Sequence, residues 1–209
     1  MSELELSAET GHAGLMEGSP YGIPSGKLAM WCFVLSDAVT FSALLFAYGY
    51  LRVGSPDWST PFLFSPSIVN GLVMTFVLLS SGLTMLASVE AAKAGHTAAG
   101  TRWLWATCAL GALFAVLHLL EWRRMIEEGW GLFRNPTGGS TEFGAAFFCV
   151  TGLHLLHVVG GVFALAIIAL GFRRGKYNRI DVEVTGIYWH FVDLVWMFVF
   201  PLVYLMNAK

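Results

Sequence analysis

The chain has 209 residues, 56% of them hydrophobic and only 12% charged, with a mean hydropathy of +0.65. A soluble core of this size cannot hide so much apolar surface, which excludes a soluble enzyme or binding domain and implies an integral membrane protein. The formal net charge of −2 excludes the basic face that nucleic acid requires, so no nucleic-acid partner is expected.

Residues 1–26 carry Glu3, Glu5, Glu9 and Glu17, followed by Gly and Pro, and lack the basic region and early apolar run of a signal peptide. They read as a flexible, surface-lying tail ahead of a transmembrane domain over residues 27–209. A hydrocarbon core roughly 30 Å thick needs about 20 helical residues. Five segments qualify: Leu28 to Leu51, Ile68 to Ala92, Trp103 to Leu120, Phe143 to Phe172, and Gly186 to Asn207. Turn and breaker residues fill the gaps, in "GSPDWSTPFLFSP", "KAGHTAAGTR", "RNPTGGS" and "RRGKYNRID". The expected fold is an all-α membrane protein, a bundle of five transmembrane helices.

The first span carries Asp37, ten residues beyond Lys27. At ~1.5 Å per residue it lies ~15 Å deep, near the bilayer midplane. A lone ionised carboxylate there costs from ~2.5 kcal/mol upward, so Asp37 should be protonated, paired or turned into protein. In the second span Glu90 can snorkel toward water or pair with Lys93 at i+3. In the third, His118 and Glu121 fall near the far end, just before Trp122, Arg123 and Arg124, and read as a solvated or interfacial cluster. A di-iron bundle would need Glu followed by His at that spacing on two helices; the order here is reversed and occurs once.

The fourth span holds "TGLHLLHVVGG", which places His154 and His157 on one face with Thr151 and Gly161. Haem or metal ligation is one reading. Hydrogen bonding to a closely packed neighbour, across Gly160, Gly161 and Ala164, is the favoured one. Two histidines three apart would collide as opposed axial haem ligands, and no acidic cluster completes a metal site. The fifth span sets His190 and Asp193 at i and i+3, ~6 and ~10 Å beyond Gly186, and Pro201 should bend it farther along. Cys32, Cys108 and Cys149 lie far apart in apolar runs and read as small buried hydrophobes.

Five spans put the termini on opposite sides. Lys27, Lys93, Arg102, Arg173, Arg174, Lys176 and Arg179 share the N-terminal side, against Arg52, Arg123, Arg124, Arg134 and Lys209 on the other. Seven against five places the N-terminus in the cytoplasm and the C-terminus in the periplasm or outside. Trp103, Trp105, Trp122, Trp130 and Trp189 sit near expected helix ends and suit the headgroup region.

The ordered strings "GKLAMWCFVLSDAVTFSALLFAYGYLR", "VNGLVMTFVLLSSGLTMLA", "FGAAFFCVTGLHLLHVVGGVFAL" and "GIYWHFVDLVWMFVFPLVYL" together cover most of residues 26–207. Along them the chain resembles subunit III of the haem-copper respiratory oxidases, in its five-helix bacterial form. The resemblance implies a subunit without catalytic residues, haem, copper or other metal of its own, in a bacterial cytoplasmic (inner) membrane. It would pack mainly on oxidase subunit I, with subunit II and further respiratory-complex subunits as other partners and phospholipid bound. Haem and copper would belong to those partners, whose oxygen reduction and proton uptake it would support.

Family members commonly have a glutamate where "LSD" places Asp37, and a glutamine before the glutamate where this chain has "HLLEW". The "SD" and "FPLVYL" runs also resemble the subunit-III-like protein associated with nitric-oxide reductase. A free-standing membrane cytochrome with His haem ligands is the alternative from another class. A transporter is disfavoured because the spans show no inverted repeat or paired broken helices.

Overall fold

The computed structural model describes residues 22–62 and 67–207; residues 1–21 of the expected tail, and Lys209, lie outside the described residues. Five helices follow in order: α1 (Ser25–Gly54), α2 (Val69–Lys93), α3 (Thr97–Glu127), α4 (Glu142–Arg173) and α5 (Arg179–Val199). The fifth continues through a π turn, Phe200–Tyr204, and a 3-10 turn, Leu205–Asn207. All five are long and apolar enough to cross a membrane. The chain is an all-α, five-helix, multi-pass membrane protein.

Several helices outrun their apolar windows, because hydropathy marks the stretch that suits lipid whereas a helix ends where its backbone is capped. The third begins at Thr97 rather than Trp103 and ends at Glu127 rather than Leu120. Thr101 Oγ1 donates to Thr97 O (2.9 Å) in its first turns, and Arg123 and Arg124 pair with Glu127 and Glu128 at i+4 (2.8 and 2.9 Å) at its end. The fifth begins at Arg179 rather than Gly186, because Asn178 caps it. Asn178 Oδ1 accepts from Ile180 N (2.7 Å), while Asp181 Oδ2 accepts from Asn178 N (2.8 Å). The breaker run between α2 and α3 shrinks to residues 94–96, where Gly95 takes φ +76° and His96 N donates to Ala91 O (2.9 Å). Gly175, φ +71°, ends α4 in the same way, so both tight connections lie on one side of the bundle.

Helices α2, α3, α4 and α5 close into a ring in which each packs on the next, while α1 lies outside it against α4 and α5. The centre of the ring is aromatic. Trp189 of α5 is fully buried in a slot opened by two glycines: a Cβ on Gly111 would lie 2.5 Å from its ring, and one on Gly161 2.9 Å. Its Nε1 donates to Ser81 Oγ (3.0 Å) of α2, so one indole joins four helices.

Trp189 is therefore a core residue and not a headgroup anchor, because α5 starts two turns earlier than its apolar window and carries Trp189 inward. Trp130 is also buried, against Phe143 at 5.6 Å between ring centres, and half-buried Trp122 donates to Thr151 Oγ1 (3.2 Å). Only Trp103 and Trp105 of that set are exposed. Two of the three cysteines also depart from expectation: Cys108 is buried, but Cys32 and Cys149 are exposed on the outer face. In a membrane protein an apolar position can face lipid as readily as core, so an apolar flanking run does not signal burial.

Around Pro201 the helix widens into the π turn. Asn207 then fastens the C-terminal end to the α1–α2 connection. It accepts from Trp58 Nε1 (3.0 Å) at Oδ1 and from Thr60 Oγ1 (3.0 Å) at its carbonyl, and donates to Val203 O (2.7 Å) and to the Tyr48 hydroxyl.

Candidate functional site

Near the middle of both α1 and α4, Asp37 Oδ2 lies 2.9 Å from His157 Nε2. The other ring nitrogen, Nδ1, lies 2.8 Å from Leu153 O one turn back. Because that carbonyl can only accept, Nδ1 carries a proton, and one further proton lies between Nε2 and the carboxyl. Wherever that proton resides the pair is net neutral, which makes a carboxylate tolerable at this depth. From α5, the Tyr188 hydroxyl donates to the His157 carbonyl (2.9 Å), and the Phe41 ring edge meets the imidazole at 5.3 Å. The Asp37 and His157 side chains remain 18% and 16% exposed on the outside of the isolated chain. The α1–α4 seam is thus a polar joint that a neighbouring group can still reach.

His154 points into the ring instead. It is fully buried, stacked on Trp196 (5.2 Å, 27°) and met edge-on by Phe114 (5.6 Å). His118 is equally buried against the same two rings, at 5.7 Å from each. Neither imidazole has a hydrogen-bond partner among the described residues. Glu121, one turn on, is 4% exposed and accepts from Asn70 Nδ2 (3.0 Å). The solvated or interfacial placement expected for His118 and Glu121 is therefore corrected. Two further turns of α3 lie beyond Leu120, and these carry the helix end past the bundle interior that holds both residues.

On α5, Asp193 is 9% exposed, and His190 Nδ1 stands 3.9 Å from its Oδ2, beyond hydrogen-bond distance. Since α5 begins at Arg179, His190 and Asp193 lie ~17 and ~21 Å from its start, deeper than the count from Gly186 gives. They face the groove between α2 and α5, away from the Asp37–His157 joint. Glu90 is exposed near the end of α2, where Lys93 Nζ lies 3.5 Å from it.

The remaining seams carry polar contacts that no spacing singled out. Trp196 Nε1 donates to Thr75 Oγ1 (3.0 Å), Thr84 and Thr107 hydroxyls meet at 2.9 Å, and Ser88 Oγ donates to Gly100 O (3.0 Å). Buried indole N–H groups need acceptors, so the tryptophans were the available signal. Its weakness is that a threonine within a helix normally bonds back to its own turn, as Thr75 and Thr107 also do (2.8 and 3.0 Å).

His118, His154 and His157 do not fit an axial haem ligand set. His157 engages both ring nitrogens, and the His154 and His118 rings are closed in by Trp196 and Phe114. Among the described residues, no group of three His, Cys, Asp or Glu side chains is placed to hold a metal ion. What the arrangement can do is join helices and present neutralised polar groups at mid-depth.

Residues 19–208 match the family model described as "Cytochrome c oxidase subunit III". The chain is 31% identical over 186 residues to the "Cytochrome c oxidase subunit 3" of Alkalihalophilus pseudofirmus, covering 87% of this chain and 86% of that one. It is 31% identical over 184 residues to the "Cytochrome bo(3) ubiquinol oxidase subunit 3" of Pseudomonas aeruginosa, covering 85% and 83%. It is also 29% identical over 202 residues to the "Heme-copper oxidase subunit I+III" of Aeropyrum pernix, covering 92% of this chain and 24% of that longer protein.

Proposed function

The chain belongs to the cytochrome c oxidase subunit III family, and on that footing we propose that it is a cofactor-free, non-catalytic subunit that stabilises the catalytic subunit of a haem-copper oxidase and supports its proton uptake. As a subunit III it associates with other oxidase subunits in a respiratory membrane. Subunit I is the main contact in this reading, with subunit II and further complex subunits beside it. The Aeropyrum relative, whose name joins I and III in one polypeptide, supports the first of these. The membrane is a bacterial inner membrane, the N-terminus is cytoplasmic and phospholipid covers the remaining apolar face. The family name does not choose the electron donor, since relatives named for cytochrome c and for ubiquinol align equally well.

The observation that carries the reading is the Asp37–His157 joint. A carboxylate held at mid-depth by an imidazole, neutral as a pair and still reachable from outside, suits a group that positions water or a neighbouring helix near a proton-uptake path. We do not read it as a proton carrier, because Nδ1 donates to Leu153 O, a backbone carbonyl that passes no proton onward. The test is capture of the chain from its own membrane in mild detergent. Stoichiometric recovery with an oxygen-reducing haem-copper core supports the proposal; recovery with a nitric-oxide-reducing core, or with no haem-bearing protein, overturns it.

A further inference from the structure

Asp193 and His190 take no part in the Asp37–His157 joint, and nothing within the described chain accounts for their position. Asp193 Oδ1 is buried without a hydrogen-bond partner, and Oδ2 has only the His190 imidazole near it, at 3.9 Å. No α2 side chain bonds it among the described residues, and Gly82 packs bare backbone against the carboxyl, where a Cβ would lie 2.5 Å from Oδ2. The carboxyl therefore lies at the edge of a groove of about 350 Å³ between α2 and α5, walled by Leu83, Leu86, Leu194 and Met197. The His190 side chain is 47% exposed at the same rim.

Depth decides between the possible occupants. Both residues lie near the middle of the membrane-crossing stretch Arg179–Asn207. A phospholipid lying there presents only methylenes to them, its phosphate and glycerol oxygens being ~15 Å away at the interface. A carboxyl in hydrocarbon is stabilised by a hydrogen-bond donor, and polar groups in membrane helices find one on a neighbouring helix. The apolar walls around a single polar centre match the anatomy of a helix-docking site, in which a desolvated hydrogen bond is ringed by contacts that exclude competing groups.

We propose that the α2–α5 groove seats a membrane-spanning helix of the haem-bearing partner subunit, which donates a hydrogen bond from mid-depth to Oδ2, the oxygen of the Asp193 carboxyl that is left accessible. The proposal rests on the subunit III reading and assigns the docking face. Leu83 on one wall and Met197 on the other then contact the same polypeptide, whereas Val116, 53% exposed on the outer side of α3, faces away from it.

The experiment places a benzophenone amino acid at Leu83, Met197 or Val116 in the full chain, expressed with its complex, and irradiates the native membrane. Adducts of Leu83 and Met197 with one haem-bearing subunit, and none from Val116, are expected. Adducts with lipid alone, with a second copy of the chain, or with its own residues 1–21 overturn the proposal. If the oxidase core still co-purifies in that case, the family reading stands and only the docking face is lost. In detergent titration Asp193→Leu should lose the partner at least tenfold more readily than wild type, while Asp193→Asn, which can still accept a hydrogen bond, should retain it. Equal retention by the Leu variant contradicts the carboxyl's role, and if that variant fails to accumulate the photo-adducts still decide.

Discussion

Asp37 and His157 meet at 2.9 Å although they lie 120 positions apart in the chain, and their contact links α1, the helix outside the ring, to α4 at mid-membrane. Asp37→Leu leaves His157 Nε2 without its acceptor in a largely apolar setting and should destabilise the chain by about 1–3 kcal/mol. Asp37→Asn keeps a hydrogen bond and should cost nearer ~0.6 kcal/mol. Detergent unfolding of both variants measures the order. In the complex, Asp37→Asn should leave haem content intact while lowering steady-state turnover or its durability; wild-type values for both would count against the proposed support of proton uptake.

The glycine slot around Trp189 yields a packing prediction. Gly111→Ala forces a methyl to within 2.5 Å of the indole and should cost about 1–3 kcal/mol by overpacking. Trp189→Phe alone opens a void and leaves Ser81 without its donor. Combined, the smaller ring relieves the methyl, so the double variant should be less destabilised than the two losses added. Additive losses would mean that Gly111 and Trp189 do not share a contact in the membrane.

At the start of α5, Asn178→Ala removes a side chain that accepts at the helix N-terminus and should cost about 1 kcal/mol. Hydrogen exchange should quicken over the first turn, residues 179–182, and stay unchanged around Trp189. Uniform quickening along α5 would show that the cap controls the whole helix.

Cysteine labelling tests which faces point outward. In detergent-solubilised, isolated chain a small maleimide should modify Cys32 and Cys149, both exposed, and reach Cys108 only after denaturation. Protection of Cys149 together with Cys108 would contradict the placement of α4.

Much of the architecture was legible because a membrane imposes a strict length and hydropathy code: all five spans, from Leu28 to Asn207, are helical. Helix ends were less legible, since Asn178, Gly95 and the Arg123–Glu127 pair act on the backbone and not on hydropathy. The direction a side chain faces was least legible. His154 and His157 share a helix and a three-residue spacing, yet one is enclosed by Trp196 and Phe114 and the other reaches Asp37 on a different helix. His118 and Glu121 carried the signature of a helix end because Trp122, Arg123 and Arg124 follow them, although the helix continues to Glu127. Spacing shows which residues share a face; only the packed helices show what that face meets.

In the proposed function these embedded imidazoles and carboxylates join protein surfaces and do not ligate a prosthetic group. The most direct measurement is the haem content of this polypeptide after gentle separation from its complex, read as haemochrome per chain. Haem should stay with the partner, leaving the separated chain colourless. One haem per separated chain, lost on His154→Ala or His157→Ala, would contradict it.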